Sequence, residues 1–194
     1  MCAARIGQLV NLSSLASDCG ITHNTAKSWI SVLEASYLIF LLQPHSRNYN
    51  KRLVKTPKLY FHDCGFATWL LGIRNTDQLS IHSSRGSLFE NWVVTELIKN
   101  CYNQGLESNL YFWRDNTGNE IDVIIDNNIL LRPIEIKSGQ TLRKESFNGL
   151  TKWLSLAGQD AENGSICYGG NEGFHRFGVT VVPWEQIDDL LAIA

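Results

Sequence analysis

Glu120-Ile121-Asp122-Val123-Ile124-Ile125-Asp126 and, after a short turn, Ile129-Leu130-Leu131-Arg132-Pro133-Ile134-Glu135-Ile136-Lys137 decide how this chain is read. Both are strongly apolar runs of strand length, interrupted by charge. Residues two apart on a strand project to one face. Glu120 and Asp122 should therefore point together, and so should Glu135 and Lys137. Paired as a hairpin through Asp126-Asn127-Asn128, the strands would bring three carboxylates and one ammonium onto a small area. Charge gathered in that way loses hydration that packing cannot replace. A hard divalent cation such as Mg²⁺, which prefers carboxylate oxygens, would resolve the conflict. A solvated sheet face produces the same alternation, and Glu opposite Lys is an ordinary cross-strand pair. Either tripeptide alone therefore says little. Their order says more: an acidic strand, a short turn, then a strand ending in Glu-x-Lys and closed by Ser138-Gly139.

The flanking sequence supplies a setting. Arg85 to Asn100 predicts a helix, with Phe89, Trp92, Val93, Glu96 and Leu97 at neighbouring helical positions and mostly buried. Glu90 stands one step off that stripe near the helix start, and Glu96, within it, is the rival carboxylate. Strands are predicted at Leu110 to Arg114, Glu120 to Asp126 and Leu130 to Lys137, then a helix over about Lys144 to Ala157. Strands at Ser165 to Tyr168 and Phe177 to Val182 and a helix from Trp184 follow. This order of helix, three strands, helix and strand, with its charged set, resembles the PD-(D/E)XK, or restriction-endonuclease-like, fold. There a helix glutamate, a strand aspartate and a Glu-x-Lys tripeptide surround one or two metal ions. The resemblance implies that Asp122 and Glu135 hold Mg²⁺, with Glu120 as the alternative ligand. It implies that Lys137 orients or deprotonates the attacking water, or stabilises the transition state. Glu90 would complete the site as an outer or second-metal ligand.

The first half predicts a winged helix-turn-helix. Leu15-Ala16-Ser17-Asp18-Cys19-Gly20-Ile21-Thr22 gives a short helix, a glycine suited to positive φ and a threonine cap. A second helix follows from Asn24 to Glu34. Ile21, Ala26, Trp29, Ile30 and Leu33 form its expected core face, and Asn24, Lys27, Ser28 and Ser31 its polar face, suited to phosphates or base edges. An apolar strand (Tyr37 to Leu42), a polar loop (His45 to Asn50) and a strand ending in Leu59-Tyr60-Phe61 make the wing. Arg47, Lys51, Arg52, Lys55 and Lys58 lie there with no acidic residue between Glu34 and Asp63. Such a stretch could track a phosphate backbone. It could equally solubilise a loop, or face an acidic protein partner. Asp63 to Gly72 predicts one more short helix, and the polar, unpatterned stretch near Asn75 to Ser84 a linker. The expected architecture is thus α/β (α+β): a winged helix-turn-helix over 1–74, a linker over 75–84 and a restriction-endonuclease-like domain over 85–194.

Composition sets outer limits. With 194 residues, 44% hydrophobic, the chain can bury a real core and divide into two small domains. A net charge of −2 exerts no global pull on nucleic acid, so any attraction must be local. Five cysteines are odd in number, scattered and without a Cys-x-x-Cys, which suits a reducing cytoplasm and argues against a disulfide framework or zinc ribbon. The longest apolar run, Tyr37 to Leu42, is too short for a bilayer, and no signal peptide opens the chain.

Over nearly its whole length the sequence also resembles the C-terminal portion of a prokaryotic AAA+-type ATPase family of largely unknown function. The resemblance rests on Leu15-Ala16 to Trp29, Arg47 to Gly65, Gly86-Ser87-Leu88-Phe89-Glu90-Asn91-Trp92 to Leu97, Trp113-Arg114, Gly118 to Asp122 and Glu135 to Gly139. In that family a P-loop ATPase precedes these segments. No Gly-x-x-x-x-Gly-Lys-Ser/Thr occurs here, so the chain reads as a piece starting just after the ATPase module, which would be its partner. Three functions stay open at this level: a metal-dependent nuclease, a non-catalytic DNA-binding regulatory module, and an oligomerisation or protein-interaction domain.

Overall fold

The structure is a computed structural model that describes residues 1–46 and 53–191. It is a mixed α/β protein. Its compact units are residues 1–43 with 56–95, and residues 44–55 with 96–194.

In the first unit, Asn11 caps α1 (Leu12–Cys19) by accepting from Ser14 N at 2.9 Å, and Gly20 ends it in the left-handed region, φ 65°. Thr22 then caps α2 (His23–Ala35), accepting from Thr25 N. This helix–glycine–helix local structure follows the sequence closely. The buried face of α2 is narrower than its pattern predicts: only Ala26 and Ile30 are buried, and Trp29 is 55% exposed. One i, i+4 pair suffices against so short a partner as α1, and Trp29 lies roughly a quarter-turn away from Ile30. Strands β1 (Ile39–Leu42) and β2 (Lys58–Phe61) pair antiparallel, Ile39 opposite Phe61 and Leu42 opposite Lys58. Arg47, Lys51 and Arg52 of the expected wing lie outside the described residues.

Asp63 caps α3 (Cys64–Leu70), accepting from Phe66 N at 2.7 Å. The stretch expected as linker contains α4 (Thr76–Ile81), capped by Asn75. The long α5 (Arg85–Asn103) follows, and the division between units falls inside it, between Thr95 and Glu96. The physical reason is Asn91 and Thr95. Asn91 accepts from Phe61 N at 2.7 Å and donates to Phe61 O at 2.9 Å, and Thr95 Oγ1 donates to the same carbonyl at 3.1 Å. The first half of α5 thus serves β2 as a neighbouring strand would, satisfying backbone groups that burial would otherwise orphan.

The second unit is built on a six-stranded sheet in the order β3-β4-β5-β6-β8-β7. It comprises β3 (Leu110–Arg114), β4 (Glu120–Asp126), β5 (Leu131–Lys137), β6 (Ser165–Tyr168), β7 (Phe174–Arg176) and β8 (Val179–Pro183). The β3-β4-β5 meander is antiparallel, β5-β6-β8 is parallel, and β7 returns antiparallel to β8. The parallel β5-β6 step needs a crossover, which a 3₁₀ turn (Lys144–Phe147) and α6 (Asn148–Ala157) supply. Phe147, Leu150, Trp153 and Leu154 pack with Trp113, Ile121, Ile124, Ile166 and Val181 in one core. The β7-β8 hairpin turns at Phe177 and Gly178, both at positive φ, where the sequence predicted one unbroken strand. The chain ends its described part in α7 (Asp188–Leu191). No helix among the described residues is long and apolar enough to cross a membrane.

Candidate functional site

Strands β4 and β5 pair from Asp126 opposite Leu131 to Val123 opposite Ile134. Asp122 stands one step beyond the last pair. There its Oδ2 accepts from Ile136 N at 2.7 Å, the amide lying between Glu135 and Lys137. The aspartate is thereby bonded into the Glu-x-Lys tripeptide. On β5 itself, Lys137 Nζ meets Glu135 Oε1 at 2.5 Å, with the glutamate side chain only 12% exposed.

The ladder on the other side of β4 explains this geometry. Trp113 faces Ile121 and Tyr111 faces Ile124, so two residues of β4, Asp122 and Val123, stand against Phe112 alone. That is a β-bulge, which re-aims side chains at the point where it interrupts the pleat. Strict alternation along β4 is interrupted here, and Ile124 and Ile125 are both buried. Glu120 lies opposite Arg114 and accepts from its Nη1 at 2.8 Å. Among the described residues, no group of three or more His, Cys, Asp or Glu side chains is placed to hold a metal ion. The three-carboxylate convergence of Glu120, Asp122 and Glu135 does not form, and the ordinary cross-strand pair describes Glu120.

The far end of β5 is fixed by close backbone packing. Gly169 N donates to Lys137 O at 3.0 Å, and a Cβ on Gly169 would stand 2.5 Å from Ser138 O. Only glycine lets β6 come so near the strand that carries Lys137. The Gly169-Gly170 pair was the sequence signal for this support, and the pattern reading passed over it.

Glu90 lies in the first unit. Its Oε1 accepts from Lys58 Nζ at 2.9 Å and from Tyr60 OH at 2.5 Å, and a Cβ on Gly7 would stand 3.3 Å from its Oε2. Lys58 is 1% exposed. It is therefore an interior ion-pair partner, a correction to its place in an exposed basic row. Strand β2 is buried at every residue, and a lysine there needs a carboxylate. Glu96, the rival carboxylate, pairs with Lys99 at 2.7 Å on the exposed side of α5. Lys27 and Lys55 are exposed, as a phosphate-contacting role requires.

Sequence reasoning missed Asp115. It is 1% exposed and sits in the β3-β4 turn, where it accepts from Thr117 N, Thr117 Oγ1, Asn119 N and Asn119 Nδ2 at 2.7–3.0 Å. Burial pushes its carboxyl up, and these bonds from Asn119 and Thr117 more than offset that, holding it down to about 2. The Asp-x-Thr-Gly-Asn spacing was the available signal.

Comparison with known proteins places the chain in a family. Residues 85–187 match a domain of unknown function, DUF4143, and the chain belongs to that family, whose domain is typically found in the C-terminal region of AAA-ATPase-like proteins. Residues 1–77 match a second domain of unknown function, DUF8612. Among curated proteins, the chain is 27% identical over 199 residues to an uncharacterized protein of Mycobacterium bovis and, equally, to one of Mycobacterium tuberculosis. Each alignment covers 96% of this chain and 42% of the relative, so the chain spans less than half the length of these relatives. No solved structure matches. The two family matches end and begin at residues 77 and 85, where the sequence placed its linker, whereas the compact units divide at Thr95.

Proposed function

We propose that this chain is the nucleic-acid-engaging part of an AAA-ATPase-like protein, and that its second unit is a PD-(D/E)XK nuclease-like module with Mg²⁺-dependent phosphodiester cleavage. The observation that carries the reading is the Asp122 Oδ2–Ile136 N bond, which joins the strand aspartate to the Glu-x-Lys tripeptide across two adjacent antiparallel strands. Asp122 and Glu135 fit the ion: Mg²⁺ is commonly held by one or two carboxylates, with water completing its shell. Bound there, it supplies positive charge that offsets the scissile phosphate and acidifies water. The Ile136 amide orients the Asp122 carboxylate, and Glu135 holds the Lys137 ammonium at 2.5 Å. Lys137 is placed to orient the attacking water or to meet charge developing on the phosphate. In the first unit, α1, α2 and the β1-β2 hairpin read as a winged helix whose exposed Lys27, with Asn24, Ser28 and Ser31, faces the phosphate backbone.

A second reading is a binding and regulatory module that keeps this fold without cutting. It is favoured by Glu90 being engaged with Lys58 and Tyr60, and Glu120 with Arg114. A cleavage assay on plasmid, single-stranded and branched DNA with Mg²⁺ separates the two. The nuclease reading expects cutting by the unaltered chain and a loss of about 100-fold or more in Asp122→Asn, Glu135→Gln and Lys137→Met. Binding without cutting decides for the second reading, and cutting that survives Asp122→Asn would remove Asp122 from the first.

A further inference from the structure

Strands β5, β6 and β8 run parallel, with Lys137, Tyr168 and Pro183 in register at their carboxyl ends. Because β8 lies between β6 and β7, the chain leaving Tyr168 has to pass the end of β8 before it can form β7. Residues 169–173, Gly-Gly-Asn-Glu-Gly, make that passage. Tyr168, only 4% exposed, holds them. Its ring folds back over Gly170, where an added Cβ would run into it. Its hydroxyl donates to Glu172 O at 2.8 Å and accepts from Glu172 N at 3.3 Å. Phe174 closes the clip, edge-on to the Tyr168 ring at 6.1 Å and 79°.

The clip bears on the strand end that carries Lys137. Gly169 N donates to Lys137 O at 3.0 Å, and a Cβ on Gly169 would stand 2.5 Å from Ser138 O and 3.4 Å from Gly139 O. Asn171, Glu172 and Gly173 are exposed, so the hydroxyl secures no core packing. A phenylalanine would fill the same volume and meet Phe174 as well. What the hydroxyl adds is a hold on the loop backbone, with both its donor and its acceptor used. A hydroxyl that only closed a turn would serve at any loop. Here the loop it closes presses on the backbone just after Lys137, whose ammonium acts only if placed to within about 0.5 Å.

We propose that Tyr168 and Gly169 are positioning residues for Lys137. The Tyr168 hydroxyl clamps the loop, and Gly169 fixes the backbone from which Lys137 reaches Glu135 Oε1. The inference rests on the nuclease-like reading, in which Lys137 meets the attacking water or the phosphate. Neither positioning residue touches substrate in it; both act through the lysine. Loosening the clip displaces the ammonium without removing a group that binds the strand, so turnover falls and affinity does not.

The test is the ammonium ¹⁵N NMR spectrum of the full chain without added metal, with the Lys137 signal identified by its loss in Lys137→Met. Lys58, held by Glu90 in the first unit, supplies a second ammonium as internal control. In Tyr168→Phe and in Gly169→Ala the Lys137 signal should move or broaden while the Lys58 signal stays in place. With Mg²⁺ and DNA, Tyr168→Phe should lose about tenfold in kcat, with KM within about twofold. If Gly169→Ala loses both signals it has not folded, and Tyr168→Phe alone decides. A Lys137 signal unmoved in Tyr168→Phe would overturn the proposal, even if thermal unfolding comes earlier, because the clip would then be structural only. A raised KM with kcat intact would overturn it too, by making the loop a substrate contact. Failure of the unaltered chain to cut removes the nuclease reading and leaves the Lys137 signal to decide the clip. Cutting with an unmoved signal removes the clip and leaves the nuclease reading standing.

Discussion

Asp115 and Lys58 show what a charge needs in order to be buried in this molecule. Asp115 has four donors in its own turn; Lys58 has a carboxylate from another element. For Asp115 the folded value of about 2 lies below its ordinary 3.8. The native state therefore binds fewer protons than the unfolded chain, and the stabilisation is complete above about pH 4 and drains away between pH 4 and pH 2. Asp115→Asn keeps the size but puts a donor NH₂ where one acceptor oxygen stood, so some of the Thr117 and Asn119 donors lose their partner. Urea unfolding should show it less stable by about 1–3 kcal/mol at pH 7, with the gap to the unaltered chain closing as pH falls toward 2. A gap that persists unchanged at pH 2 would mean that packing, not charge, is what Asp115 contributes. Lys58→Ala leaves Glu90 facing an interior without its cation. Loss of one partner from a buried pair costs about 3–5 kcal/mol, so thermal unfolding should register this variant strongly. Were Lys58 a surface phosphate contact instead, Lys58→Ala would unfold normally and bind DNA less tightly.

At the scale of elements, Asn91 and Thr95 make the first half of α5 act as an extra strand beside Phe61. Asn91→Ala orphans the N–H of Phe61, since Thr95 reaches only the carbonyl. The cost should be about 1–3 kcal/mol in denaturant unfolding, more than an ordinary surface truncation. Amide exchange at Phe61 should quicken, and a Phe61 amide as protected in the variant as in the unaltered chain would contradict the clamp. The elements themselves were largely legible in the sequence. Strands β3 to β6, helices α1, α2, α3 and α6 and the caps Thr22 and Asp63 follow from period, turn residues and local hydrogen bonding, all of which act within a few residues. What escaped depends on partners far along the chain. A bulge at Asp122-Val123 is invisible to alternation, because it is defined by the register with β3. The buried Lys58 looked like one more basic wing residue, because its carboxylate lies 32 residues away. Trp29 was placed in the core by spacing alone, although α1 offers too little surface to cover it.

Over the whole molecule, the net charge of −2 leaves nucleic-acid attraction to local clusters, and the two units offer different ones. The first carries the exposed Lys27 on α2, while the basic stretch of the sequence, Arg47, Lys51, Arg52 and Lys55, falls in the 44–55 segment grouped with the second. The second also carries Lys137 and Lys152, one at the candidate site and one on α6. Contacts to phosphate release counterions, so each one adds about 0.7–0.9 to the slope of log affinity against log salt. Changing Lys27, Lys51, Arg52 and Lys55 together to Ala should therefore weaken binding equally for all sequences and lower that slope by about three units, read by fluorescence anisotropy across a salt series. Lys58 is left out of the set because its burial would confound the result with unfolding. If the slope does not change in the quadruple variant, the phosphates are held around Lys137 and Lys152, and Lys137→Ala with Lys152→Met should then flatten it instead. If the unaltered chain binds no DNA or RNA at low salt, the basic stretch faces an acidic protein surface, and the ATPase module of the longer relatives becomes the partner to test.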